Sequence, residues 1–127
     1  MTESATLRRY EAHARSTDTF GRVLCSARDQ HFVVDGPVQN GCPGEAVTPG
    51  ELFLSSVASC GVELVQVFAR QEDVPLRSIA VEISGELDLD EPVRPDVTVF
   101  RRVELTFTLD GPSDQQAELL VKRFKGR

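Results

Sequence analysis

The chain of 127 residues has little cysteine and less histidine, three and two residues respectively. An odd cysteine count excludes a fully paired disulfide framework, so the thiols read as free groups in a reducing compartment. His13 and His31 lie far apart, and no Cys/His spacing resembles a zinc site, so no metal is expected. Positive charge is also short: 14 Lys and Arg against 20 Asp and Glu leave a formal net charge of −6. Nucleic-acid affinity rests on neutralising phosphates, so no nucleic-acid surface is expected. No apolar run is expected to reach membrane-spanning length, and no membrane partner follows. The start, Met1-Thr2-Glu3-Ser4-Ala5, lacks the basic and apolar segments of a signal peptide, which gives a cytoplasmic location by default. Repeats and low-complexity segments are absent. The length suits a single domain over 1–127.

The strongest pattern present begins at Thr48. Thr48 is a good N-cap, Pro49 suits the first helical position, and Glu51 completes a Thr-x-x-Glu capping box. Apolar residues recur at Phe53, Val57, Leu64 and Phe68, and Leu52, Val65 and Val67 widen the stripe. This spacing predicts a long amphipathic helix running to Arg70. Cys60 falls on the Phe53–Val57–Leu64 line, so its thiol is expected inside, or at the mouth of, whatever pocket the helix covers.

Before the helix, three strands are expected over 5–15, 20–27 and 31–35, joined by turns into a meander. Residues 36–47 are rich in Gly and Pro and read as a loop. After the helix, Ile79, Val81, Ile83 and Leu87 alternate with polar residues and mark a half-buried strand. A longer strand is expected over 97–109, with Val97, Val99, Val103, Leu105, Phe107 and Leu109 on one face. Arg101 interrupts that face, either because it lies past the packed part of the sheet or because it points into a cleft. Ser113 and Gln116 form a second capping box, opening a helix with Ala117, Leu120, Val121 and Phe124 on its apolar side. The basic residues that end this helix complement its macrodipole. Three strands, a helix, two strands and a helix make an α+β fold with mostly antiparallel pairing.

The run from Thr48-Pro49-Gly50-Glu51-Leu52-Phe53 to Ser59-Cys60 resembles the Pro-x-Glu-Leu…Ala-x-x-x-Cys helix of the OsmC/Ohr family, the osmotically inducible and organic-hydroperoxide-resistance proteins. Val34-Asp35-Gly36-Pro37, the run over 75–86 and Asp110-Gly111-Pro112 are similar too. The pattern is closer to the broader OsmC-like branch than to a typical organic hydroperoxide reductase. The resemblance implies an antiparallel sheet, a long central cysteine-bearing helix and a second helix, assembled as an intertwined homodimer with sites at the subunit interface. It also implies thiol peroxidase chemistry in oxidative stress defence. A cysteine attacks an organic hydroperoxide, becomes a sulfenic acid and is resolved by a second thiol. Cys60 maps onto the attacking thiol.

Three departures accompany the likeness. The resolving cysteine of the best-characterised members belongs to a Cys-Pro motif at the second helix, and this chain stops at Lys125-Gly126-Arg127, about where that motif would begin. Gly50 stands where the reductases carry a glutamate, with Glu51 one residue late. Arg22 is the nearest match to the catalytic arginine of the first hairpin, with Arg15 and Arg28 as substitutes.

A free thiol with a pKa of about 8.5 is mostly protonated at neutral pH, so a reactive Cys60 needs help. Its mid-helix place is beyond the reach of the N-terminal dipole, and burial alone would raise its pKa. A cation is required, and Arg22, Arg28, Arg101 and His31 are the candidates. Glu51 lies nine residues from Cys60, on the opposite side of a straight helix. It acts on the thiol across a dimer interface or from a distorted first turn, or else serves only as the cap. Ser56 and Glu63 do neighbour Cys60 on the helix surface. Cys42, in a Gly-rich loop, is expected to be the more exposed thiol and a weak candidate for the resolving role. Cys25 reads as packing. Phe53, Val57 and Leu64 are the expected lining for an apolar substrate. No cofactor is expected, and an external thiol or dithiol would supply electrons. Two rival functions stand beside the peroxidase: a non-catalytic protein that binds an apolar ligand or partner in the same cleft, and a redox sensor that oxidises without turning over.

Overall fold

The structure is a computed structural model that describes residues 6–96 and 98–126. The chain forms two compact units that divide between Leu52 and Phe53.

The first unit holds an antiparallel meander of β1 (His13–Ser16), β2 (Arg22–Ala27) and β3 (Gln30–Asp35). Arg28 and Asp29 connect β2 to β3, with Ala27 opposite Gln30. Arg28 takes a φ of 54°, which lets so short a connection reverse the chain. The register that follows places Arg22 directly opposite Asp35. The edge strand is shorter than the sequence predicts: it begins at His13, and the expected residue 5 lies outside the described residues. Among the described residues of this edge only His13–Ser16 pair with β2, and all four are exposed, so no packing rewards a longer strand.

Helix α1 (Pro49–Gln71) opens on the capping box the sequence predicts. The Thr48 backbone N–H donates to Glu51 Oε1 at 3.0 Å, and the Glu51 N–H donates to Thr48 Oγ1 at 3.4 Å. At its other end the Val74 N–H donates to the Ala69 carbonyl at 2.9 Å and the Asp73 N–H to the Arg70 carbonyl at 3.3 Å. These two bonds form a Schellman motif, with Asp73 in the left-handed position at φ 55°. The helix corrects the expectation that no run reaches membrane length. By length and composition alone its 23 residues could cross a membrane. Ser, Gly and Ala between the large apolar residues keep the stretch from reading as one continuous run.

The second unit packs α1 against a hairpin of β4 (Ser78–Glu86) and β5 (Arg102–Asp110) and against α2 (Asp114–Lys125). Val65, Phe68 and Ala69 of α1 and Leu120 of α2 form its buried cluster, bordered by Leu64, Ile79, Phe107, Leu109 and Phe124. Arg123 adds a tie between the helices: its guanidinium lies 4.2 Å from the Phe68 ring centroid and donates to Glu72 at 2.8 Å. The Ser113–Gln116 capping box is present.

Two expectations change here. Strand β5 starts at Arg102 and not at residue 97, which lies outside the described residues. Arg101 sits just before the strand, its Nε 3.5 Å from Glu86 and its Nη1 3.7 Å from Asp88, so it lies past the packed sheet. The buried line of α1 is also rotated. Gly61, Val65, Phe68 and Ala69 are buried, Val57 and Leu64 are half-buried, and Phe53 and Cys60 are exposed.

Two backbone positions should respond in opposite directions. Gly111 has a φ of 123°, and an added Cβ would stand 2.4 Å from the Pro75 carbonyl oxygen. Gly111→Ala should cost about 2 kcal/mol or more in urea denaturation. Asp73→Gly relieves a left-handed non-glycine residue and should raise stability by about 0.5–1 kcal/mol.

Candidate functional site

Asp35 ends β3 with none of its surface exposed, and a buried carboxylate needs partners. It has four donors. Arg22 grips it with both edges of its fork, Nε to Oδ1 at 2.8 Å and Nη2 to Oδ2 at 2.9 Å. The backbone N–H groups of Glu45 and Ala46 donate to Oδ2 at 3.0 and 2.9 Å. The carboxylate therefore fastens the loop over 36–47 to the meander. Hydrogen bonds from Arg22 lead the causes that hold the Asp35 carboxyl well below the usual range, against the opposing effect of burial. Arg22 Nη2 also donates to Glu45 Oε1 at 2.9 Å. One guanidinium thus faces two carboxylates, and its pKa is raised chiefly by its bonds to Asp35 and then Glu45. The sequence reading missed the Asp35 partnership. A signal existed: the two-residue turn at Arg28-Asp29 fixes the hairpin register, and that register sets Arg22 opposite Asp35.

Cys42 departs from its expected exposure. Its sulfur lies against the backbones of Gly21 and Gly36, close enough that a Cβ on either glycine would stand 2.5 Å away. The absence of side chains at these two positions makes room for the thiol, and Cys42 is half-buried. Cys25 is half-buried in β2, opposite Phe32.

Cys60 is a free, exposed thiol in the second unit. Of the two expected places, inside the pocket the helix covers or at its mouth, its exposure removes the first. Gly61 turns inward instead, and Cys60 stands about 100° around the axis from it. Phe53, Ser56, Glu63 and Val67 share the exposed side with Cys60. Phe53 is 54% exposed and Val67 38%. The Ser56 hydroxyl donates to the Phe53 carbonyl at 2.6 Å, so its bond is to the helix backbone.

The expected substrate residues divide. Leu64 packs against the buried cluster, Val57 is half-buried, and the Phe53 ring stacks on Phe100 at 5.7 Å between centroids. Glu51 receives both the Thr48 N–H and, at 2.9 Å, its hydroxyl; these bonds lower its pKa, the backbone bond most. Among the other cations considered, Arg28 occupies the hairpin turn, His31 is exposed on β3, and Arg101 faces Glu86 and Asp88.

The Arg22–Asp35 pair predicts an acid-sensitive fold. A carboxyl with a depressed native pKa contributes stability that is complete above its unfolded pKa of about 4. That stability is lost as pH falls from there toward the lower native value. Asp35→Asn should lower Tm by more than about 5 °C at pH 7. In calorimetry between pH 7 and pH 3 it should also flatten the acid limb of the stability profile.

The structure resembles solved OsmC-type proteins. An OsmC-like protein from Mycoplasma pneumoniae superposes with a TM-score of 0.80 at 14% identity, covering 94% of this chain and 82% of that one. The organic hydroperoxide resistance protein OsmC of Legionella pneumophila gives 0.73 at 21% identity, covering 95% and 85%. An organic hydroperoxide resistance protein from Elizabethkingia anophelis, with thiocyanate bound, gives 0.77 at 15% identity, covering 97% and 85%. No curated protein sequence matches significantly. At these identities the superpositions establish the α+β fold, with its antiparallel sheets and two helices. The family profile described as OsmC-like protein matches residues 42–127, from the loop before α1 through α2, and the chain belongs to the OsmC-like family.

Proposed function

We propose that this protein is a thiol-dependent peroxidase that reduces organic hydroperoxides through Cys60, in a stress-related redox role. The observation that carries it is a free, exposed thiol on an apolar helix, with Phe53 and Val67 exposed on the same side. Family membership supports it, as do the names of the Legionella and Elizabethkingia relatives. The reaction balances in two steps. The Cys60 sulfur attacks a peroxide oxygen, an S–O bond forms and the O–O bond breaks. Sulfur loses two electrons, and the alkoxide leaves as an alcohol with the thiol proton. Two equivalents of an external thiol, or one dithiol, then return Cys60 to the thiol, giving a disulfide and water.

The proposal includes a homodimer, with one OsmC-like domain per chain and Phe53, Val57 and Leu64 bordering the substrate near the subunit interface. Small buried cores support it. Among the described residues of the first unit only Val34 is a buried apolar side chain, while Phe20, Phe32 and Val33 are exposed. A second copy would cover such surfaces. Three free thiols suit a reducing compartment, and the proposed location is cytoplasmic.

A non-catalytic role, binding an apolar ligand on the same surface, has separate support. Arg22 is already opposed by two carboxylates, Glu51 is engaged in the cap, and Gly50 has no side chain to offer.

Cys60→Ser should reduce dithiol-dependent turnover of an organic hydroperoxide at least about 100-fold, whereas Cys25→Ser should retain most of it. Unchanged turnover in Cys60→Ser contradicts the peroxidase. Light scattering after gel filtration should give twice the chain mass, and a monomer would contradict the dimer.

A further inference from the structure

We propose that the groove running from Glu63 to the end of α1 receives the thiol that reduces oxidised Cys60, and that this thiol is a small cysteinyl peptide with a free ammonium and a free carboxylate. The inference rests on the peroxidase reading and adds to it the chemical class of the reductant. The groove has a volume of about 810 Å³. Glu63, Gln66, Val67 and Arg70 line it from the helix, and residues 73–78, which lead from α1 into β4, line it as well. That connection is fixed at both ends. The Schellman bonds hold Asp73 and Val74 to the helix. The Arg77 N–H donates to the Asp110 carbonyl at 2.8 Å, and its Nη2 and Nε donate to the Asp110 carboxylate at 2.8 and 3.1 Å. Arg77 is thus committed to Asp110. Among the described residues the side chains of Glu63, Gln66 and Arg70 make no hydrogen bond or ion pair, and all three are exposed. Asp73, the other charge in the groove, lies beyond Arg70 and farther from the thiol.

The order of these groups along the helix selects the ligand. From Cys60, Glu63 lies about 4.5 Å along the axis, Gln66 about 9 Å and Arg70 about 15 Å. Glu63 and Arg70 differ by only about 20° around the axis. Cα–Cβ bonds tilt toward a helix N-terminus, so the arginine reaches back along the groove toward the thiol. A cysteinyl peptide carries its groups in the same sequence: sulfur, α-ammonium, peptide amide, terminal carboxylate. With the sulfur at Cys60, the ammonium faces the Glu63 carboxylate, the amide faces Gln66 and the carboxylate faces the Arg70 guanidinium. Each peptide residue adds up to about 3.5 Å, so two residues and the reach of the arginine span the distance. A thiol without these charges leaves Glu63 and Arg70 unanswered.

The step served is the reduction of the Cys60 sulfenic acid. The peptide thiolate attacks the Cys60 sulfur, an S–S bond forms and the S–O bond breaks. Hydroxide leaves as water with the proton the thiol gave up. A second equivalent of the thiol then attacks the peptide sulfur of the mixed disulfide, which returns Cys60 as a thiol and releases the peptide disulfide. The test oxidises the full chain with one equivalent of cumene hydroperoxide and follows the mixed disulfide by rapid quench and intact-mass spectrometry. Four thiols are compared: cysteinylglycine, cysteinylglycinamide without the carboxylate, N-acetylcysteinylglycine without the ammonium, and 2-mercaptoethanol with neither. Arg70→Gln should slow cysteinylglycine roughly 2- to 5-fold and leave the amide and 2-mercaptoethanol within about 1.5-fold. Glu63→Gln should slow cysteinylglycine to a similar degree and leave the N-acetyl peptide and 2-mercaptoethanol within about 1.5-fold. High salt should erase both differences. If each variant slows all four thiols alike, or none, while wild-type Cys60 still forms its sulfenic acid, the groove does not read the reductant and the inference is overturned. If wild-type Cys60 forms no sulfenic acid, the peroxidase reading fails and the inference falls with it.

Discussion

The rotation of α1 about its own axis depends on Gly61. An added Cβ there would stand 3.3 Å from two atoms of the Phe107 ring and 3.6 Å from Phe124, so hydrogen is what lets the helix approach these rings. The two rings meet edge to face at 5.6 Å, completing a contact into which Val65 and Phe68 also pack. Once Gly61 faces inward, its neighbour Cys60 must face away, and Phe53 and Val67 go with it. The candidate chemistry is therefore set by packing one residue away from the thiol. A bulkier residue at 61 would alter the presentation of Cys60 without touching it.

In the first unit, the need to satisfy a buried carboxylate plays the corresponding part. Asp35 is enclosed, and its four donors come from β2 and from the loop that leads to α1. The hairpin register supplies the arginine, and the carboxylate then pins the loop. Arg22 consequently has a fixed position and a charge shared between Asp35 and Glu45. This arrangement explains why Val34-Asp35-Gly36 reads as more than a strand end. Val34 and Asp35 are the buried pair of β3, and Gly36 makes room for the Cys42 sulfur.

The order of elements was legible because each rests on a local signal: alternation for the strands, and capping boxes at Thr48 and Ser113 for the helices. The inward line of α1 was not. Its apolar residues cover much of the circumference, so hydropathy alone leaves the rotation open, and the residues that settle it, Gly61 and Ala69, carry little weight in such a pattern. The start of β5 was misplaced for a related reason. Val99 continues the alternation of Val103 and Leu105, but Arg101 is drawn to Glu86 and Asp88 before the pairing begins. The place of Cys60 on α1 was legible from the helix motif. The stacking of Phe100 on Phe53 was not, since its place depends on Gly85, fifteen residues earlier. Cys42 looked like an open loop thiol because its cover comes from two glycines whose proximity only the folded meander creates.

The central claim is that exposure of Cys60 on an apolar helix makes it the reacting thiol. The most direct measurement is intact-mass spectrometry with thiol counting after brief exposure to stoichiometric organic hydroperoxide. The account predicts fast loss of one thiol, mapped to Cys60, with Cys25 and Cys42 still free to alkylate. Survival of all three thiols, or oxidation of Cys42 ahead of Cys60, would contradict it.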